Sequence, residues 1–375
     1  MRSITLIFIL LVAALPAWTQ SPHERSARMG VGINFTYLDN WWLGKKENNY
    51  ADFLNPDAAK KKEAEFANIA RAGFKTVRIP INFGAFANYK QPYVWTSQPG
   101  LEAADRFVKA ALDAGLIAIV DLHHVEMDRS IKAADSTERV AWIWKELALR
   151  YRDLDPERVF FEIRNEPHDI EARAWRKQAE AVIKAIREVA PKHTLVVGFH
   201  DWNSRQAMID SKPFDDDNII YTFHYYDPFI FTHQGATWAS PGLSDMKGVP
   251  FPADGKAIKV PEKAAGTWVA DRIAAYGDEA DAGRMFNDLK AAKAWSEKHK
   301  VPIFLGEFGS FGKNASLADR CRHAEAVYSA LGRLNIPNAW WEWDQGFNMY
   351  DKGTTSIAPC MQKAIDLFTK GRAAN

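Results

Sequence analysis

The chain has 375 residues, is 47% hydrophobic and carries a formal charge of +1, enough for one large core. The near-neutral balance argues against a nucleic-acid partner, which would call for a basic face. Aromatic residues make up 13% and include 14 Trp, clustered as "LDNWW" (38–42), "WIW" (142–144) and "AWWEW" (339–343). Tryptophan rarely buries completely, so this abundance implies exposed platforms as well as packing, and sugar rings stack on such platforms.

The N-terminal "MRSITLIFILLVAALPAWTQ" places one Arg before an apolar run that ends in small residues, the pattern of a secretory signal peptide. Residues 1–20 are read as that leader, cut between Ala17 and Gln20, and 21–375 as one catalytic domain. The run is short for a membrane span, so a retained anchor is the alternative. The mature protein is therefore expected outside the cytoplasm, periplasmic or secreted, as a monomer with no membrane attachment. Cys321 and Cys360 are compatible with one disulfide or with two buried thiols.

Eight apolar runs follow in order: "GVGINF" (30–35), "TVRIPIN" (76–82), "IAIVDLHH" (117–124), "VFFEIRN" (159–165), "TLVVGF" (194–199), "IIYTFHYY" (219–226), "VPIFLGEFG" (301–309) and "AWWEWD" (339–344). Helical patterns such as "AADRFVKAALDAG" and "EARAWRKQAEAVIKAIREVA" lie between most of them. Strand–helix alternation implies parallel pairing, and eight strands imply a closed (β/α)8 TIM barrel. An open doubly wound sheet is disfavoured because no Gly-rich phosphate loop follows the first strand. Residues 227–300, between the sixth and seventh strands, form a long insertion expected to wall a cleft on the catalytic face.

In such a barrel the side chains ending the strands converge on one site. In "FFEIRNEPHDI" (160–170), Asn and Pro both oppose strand continuation, leaving Glu166 at a strand end. The ends of the other strands supply Arg78, His123 and His124, His224 and Tyr226, Glu307, and Trp340 to Asp344. Two glutamates on different strands, ringed by Arg, His, Tyr and Trp, suit glycoside hydrolysis, in which one acid protonates the leaving oxygen and one carboxylate attacks or activates water.

"TVRIP", "DLHH", "EIRNEP", "FHYYDP" and "LGEFG", in this order along the chain and with a terminal Trp-rich strand, resemble glycoside hydrolase family 5, the cellulase group of the retaining clan. The resemblance implies Glu166 as acid/base and Glu307 as nucleophile. It implies Asn165 on the sugar 2-hydroxyl, Tyr226 hydrogen-bonded to the nucleophile, Arg78 keeping that nucleophile ionised and His224 beside the acid/base. His123 would contact the sugar and Trp343 would form its floor, with Trp340 and Trp341 as competitors for that place. Asn34, Trp41, Trp42, His233, Gln234 and Trp238, in loops after the first and sixth strands, are further candidates for substrate contact. Glu162 and Asp121 read as buried structural acceptors, and Arg164 as a partner of Glu162 or of a loop carboxylate. No metal or other cofactor is expected.

The leading reading is an endo-acting β-1,4-glucanase on a polysaccharide or oligosaccharide. A mannanase or another β-glucan hydrolase is the nearest alternative. Metal-dependent hydrolysis and a catalytically dead sugar-binding barrel stand further off.

Overall fold

The computed structural model describes residues 20–39, 56–125 and 136–373. Residues 1–19 of the expected leader, with Trp41 and Trp42, lie outside the described residues. Eight parallel strands close into a barrel in chain order: β1 Val31–Asn34, β2 Thr76–Ile81, β3 Ile117–Leu122, β4 Val159–Glu162, β5 Leu195–Val197, β6 Ile219–His224, β7 Ile303–Phe308 and β8 Asn338–Trp340. β8 pairs with β1 through Val31 opposite Asn338, so no edge remains. All eight expected strands are present. Each is shorter than the expected run: β4 stops at Glu162, before Asn165 and Glu166, and β8 ends at Trp340 rather than Asp344.

Helices α1 Pro22–Met29, α2 Pro56–Arg71, α3 Gln98–Asp113, α4 Thr137–Tyr151 and α5 Ala172–Arg187 alternate with the first strands. In α5 the buried Trp175, Gln178, Ala179, Val182, Ile183 and Ile186 recur at helical spacing, so one stripe packs on the barrel while Lys and Arg face outward. After β6 the insertion runs through short turns into α6 Trp268–Glu279 and α7 Ala282–His299. The chain then continues through α8 Leu317–Leu334 and α9 Pro359–Ala373. A Cys321–Cys360 disulfide joins the starts of α8 and α9. Among the described residues no helix is long and apolar enough to cross a membrane.

The barrel interior has two floors. Its lower floor is apolar, built from Ile117, Ile119, Phe160, Val196, Ile220, Phe304 and Ala339, with Met29 from α1 inserted beneath. Arg25 of α1 fastens that plug by donating to Glu157, to Thr194 Oγ1 and to Asn218 Oδ1 at the strand starts. Strand alternation carries the same inward face upward to Asp121 on β3, Glu162 on β4 and His224 on β6. The upper floor is therefore polar, and the active-site candidates stand on it.

Candidate active site

Arg78, fully buried on β2, is the hub of the upper floor. Its Nε and Nη2 donate to the two carboxylate oxygens of Glu162 at 2.7 and 2.9 Å, a bidentate clasp. Nη2 also donates to Asn165 Oδ1 at 2.7 Å and lies 3.0 Å from Asp121 Oδ2. Nη1 donates to Asn34 Oδ1 at 2.9 Å and to Glu307 Oε1 at 2.8 Å. One cation thus faces three buried carboxyls. Burial pushes each of Asp121, Glu162 and Glu307 up to about 7, with Arg78 pulling against it in all three. At Glu307 the charge of Glu166 adds to the rise, while His224, Arg78 and the Tyr226 hydroxyl oppose it. In the free protein burial therefore outweighs the pull of Arg78 that was expected to keep Glu307 ionised.

Glu307 reaches the interior through an irregularity in β7. Leu305 pairs with Phe223, but the next residue of β6, His224, pairs with Glu307, leaving Gly306 as an extra residue. A Cβ on Gly306 would lie 2.6 Å from Thr222 Oγ1, so only glycine fits this turn of the strand. Gly306→Ala is expected to cost about 1–3 kcal/mol by overpacking. It should lower activity more than the loss of folded protein explains, because it displaces Glu307; thermal melting and kcat on the refolded fraction separate the two effects.

Glu307 Oε2 accepts from the Tyr226 hydroxyl at 2.9 Å and lies 3.5 Å from His224 Nδ1. The same nitrogen is 2.7 Å from Glu166 Oε1. One oxygen of each glutamate and a ring nitrogen of His224 all lie within 4.8 Å of one another, the only grouping among the described residues with the donors to hold a metal ion. Burial lowers His224 to about 4, so its imidazole is neutral near pH 7, and keeps Tyr226 protonated as a donor. Glu166 is the more exposed of the two glutamates, open to a ligand, while Glu307 lies at the bottom.

Several expectations are corrected by position. Asn34 is fully buried, donating to the carbonyls of Gly306, Ala339 and Trp340; it braces strand ends and presents nothing to solvent. Trp343 turns away from the carboxylates. Its Nε1 donates to Glu65 on α2, and its ring meets Phe74 and Tyr350 edge-on. The side chain that overhangs the site is Trp341, whose ring lies parallel to His123 at 5.5 Å. The resemblance implied Trp343 for this place, but the chain leaves the barrel after Trp340, and it is Trp341 that stays at the site. Arg164 points at α5, where it donates to Gln178, and the clasp on Glu162 belongs to Arg78. Gln234 is consumed by bonds to Phe231 and Val249, and His233 stacks on Phe229 at 3.9 Å.

Trp238 is 61% exposed and braced edge-on by Phe311, within the aromatic group of Phe347, Tyr226 and His233 that leads to Glu307. A second platform escaped sequence reasoning. Trp202, 47% exposed, stacks on His168 at 3.9 Å, and its backbone N–H donates to the carbonyl of Pro167, the residue after Glu166. Residues 201–203 all have positive φ although none is glycine. Strain of this kind clusters at functional sites, and here it presents Trp202 beside the acid. The Trp between two polar residues in "FHDWNS" was its only signal.

The cellulase model of glycosyl hydrolase family 5 matches residues 39–346. The chain belongs to glycoside hydrolase family 5. Endoglucanase 3 of Fibrobacter succinogenes is 27% identical over 91% of this chain, which spans about half (53%) of that protein. Endoglucanase C of Acetivibrio thermocellus is 27% identical over 82% of the chain and 90% of its own length. Solved structures of Thermotoga maritima Cel5A with cellobiose and with mannotriose superpose with TM-scores of 0.75 and 0.74. Each is 29% identical and matches 92% of this chain and 99% of the other.

Proposed function

We propose that the protein is an exported, retaining endo-β-1,4-glucanase. One observation carries the mechanism: the Glu166 and Glu307 oxygens approach within 4.8 Å. A retaining pair stands about 5–5.5 Å apart, whereas an inverting pair needs about 6.5–9.5 Å to admit a water molecule. In the first step a Glu307 oxygen bonds to the anomeric carbon as the glycosidic bond breaks, and the leaving oxygen takes the Glu166 proton. Glu307 then no longer carries charge, which favours an ionised Glu166. Glu166 next removes a proton from water, whose oxygen displaces Glu307 and retains the configuration. Asn165, its Oδ1 held by Arg78, is left with its amide N–H groups for the sugar 2-hydroxyl.

Trp341 supplies the floor under the reacting sugar. Trp202, beside Glu166, supports the leaving side, and Trp238 is a further stacking surface. Trp202→Ala and Trp238→Ala are each expected to raise KM on a long glucan roughly two- to tenfold, the worth of one aromatic stacking contact, with kcat nearly unchanged. Glu307 must be ionised to attack, so activity falls as pH drops through its pKa. Because burial raises that pKa to about 7, the acidic limb of kcat/KM is expected well above the ordinary glutamate value of 4.5. A pH–rate profile checks it.

Export is supported by the apolar leader and by the Cys321–Cys360 disulfide, which persists in oxidising compartments. The relatives' names favour glucan, and the mannotriose complex of Cel5A makes mannan the second reading. Reducing-sugar release from carboxymethyl cellulose, mixed-linkage β-glucan, β-mannan and xylan, in chelator-containing buffer, decides between them. Chelator-resistant cleavage of glucan with mixed oligosaccharide products supports the reading. Cleavage of mannan alone replaces the substrate, and loss of activity to the chelator overturns the two-glutamate mechanism.

A further inference from the structure

Asp121 ends the inward face of β3 and is fully buried. Its Oδ2 lies 2.7 Å from His123 Nδ1 and 3.0 Å from Arg78 Nη2, while its Oδ1 is buried with no hydrogen-bond partner among the described residues. The positive guanidinium of Arg78 beside Oδ2 favours a bare, negatively charged oxygen there, so Oδ2 is an acceptor. The His123 ring is neutral because burial holds its pKa well below the usual histidine value. A neutral imidazole has one N–H and one bare nitrogen, and the partner of one nitrogen decides what the other offers.

We infer that Asp121 is a positioning residue that fixes His123 as the Nδ1–H tautomer, so that the catalytic site presents the bare Nε2 as an acceptor for a sugar hydroxyl. Oδ2 receives the His123 N–H and lies against the Arg78 guanidinium. A proton taken up by Asp121 has the unpartnered Oδ1 to occupy, which leaves that arrangement intact. The bond to Asp121 also fixes the plane of the His123 ring, and that ring lies parallel to Trp341. One carboxylate therefore sets both the polarity of a wall contact and the orientation of a ring facing the sugar floor. His123 then accepts from a hydroxyl and does not donate to a ring or glycosidic oxygen. Arg78 joins the same carboxylate to Glu307, so a positioning role must be separated from a purely electrostatic one.

The inference rests on the glycanase reading only for the identity of the hydroxyl; its first readout needs no substrate. In protein labelled with 15N-histidine, long-range 1H–15N spectra report which ring nitrogen carries the proton, and His123→Gln assigns the signal. The wild type and Asp121→Asn are expected to show the Nδ1–H form, because an amide oxygen can occupy the place of Oδ2 and keep the bond from His123. Asp121→Val removes the acceptor and is expected to shift His123 toward the Nε2–H form. Its kcat/KM should fall roughly ten- to a hundredfold, the scale of one strong hydrogen bond, while Asp121→Asn stays within about fivefold. If Asp121→Val does not fold, Asp121→Ser removes the reach to His123 with a polar group. An Nε2–H wild type, or a valine variant with unchanged tautomer, overturns the inference. So does an Asn variant as impaired as the Val variant with its tautomer intact, which would assign Asp121 to the charge balance of Arg78 alone. A wild type inactive on every glycan but showing the Nδ1–H form, lost in Asp121→Val, would leave the positioning role standing while removing the proposed function.

Discussion

Glu307→Ala is expected to remove glycan cleavage by roughly 10⁴-fold or more, the scale on which loss of the nucleophile acts in other covalent hydrolases. Stability should move the other way. Arg78 faces Asp121, Glu162 and Glu307 in a buried layer, so the fold holds more negative charge there than one guanidinium balances. Removing one carboxyl leaves Arg78 its bidentate clasp on Glu162 and relieves repulsion from Glu166 and burial cost at Glu307. The melting temperature of the variant is therefore expected to equal or exceed that of the wild type, the usual price of a charged active site. The space left by the side chain should also admit azide. With an activated aryl β-glycoside, azide is expected to restore turnover and to give the α-glycosyl azide, because it attacks from the face that Glu307 occupied. A β-azide product, or full activity of the variant without azide, would remove Glu307 from the nucleophile's place.

Elements and residues are legible in the sequence in proportion to the length of the regular pattern they belong to. Strand identity was legible because eight apolar runs alternate with amphipathic helices, and parallel pairing fixes which ends converge. Glu166, Glu307, Arg78, Tyr226 and His224 follow from that convergence, and the structure brings all five together. The errors sit where the period breaks. Trp341 and Trp343 both lie beyond the end of β8 at Trp340, where no regular pattern tells which ring faces the site. Asn34 does sit at a strand end, yet the closing seam of the barrel places three carbonyls within its reach, so it is spent on the scaffold. The bulge at Gly306 and the positive-φ run at 201–203 leave no periodic trace. The first aims the nucleophile inward, and the second raises Trp202 beside the acid. The division of Arg78 among three carboxyls was hidden for another reason: burial and distance in three dimensions set pKa values, and neither follows from spacing along the chain.

Replacing Glu166 with alanine should separate substrates by their leaving groups. On a glucan chain the leaving oxygen is an alcohol that departs only with a proton, and a positioned general acid contributes about 10²–10⁴-fold. Turnover of the polymer is expected to fall by that factor. An aryl β-glycoside whose phenolate is a weak base needs no proton, so formation of the glycosyl-enzyme should proceed almost unchanged. Its hydrolysis should be slow for want of a base, so a burst of phenolate should precede a slow steady state. Azide needs no base, and it should accelerate turnover and give the β-glycosyl azide, the opposite anomer to that expected from the Glu307 variant. The position of His224 sharpens the test. Its Nδ1 is 2.7 Å from Glu166 and 3.5 Å from Glu307, so a His224 that took up a proton and served as the acid itself would leave polymer turnover largely intact in Glu166→Ala. An equal loss on polymer and aryl substrate, without a burst, would instead mean that Glu166 binds sugar and transfers no proton. A pair of opposite azide products assigns each glutamate to its own face of the ring, which a distance between two carboxylates cannot do.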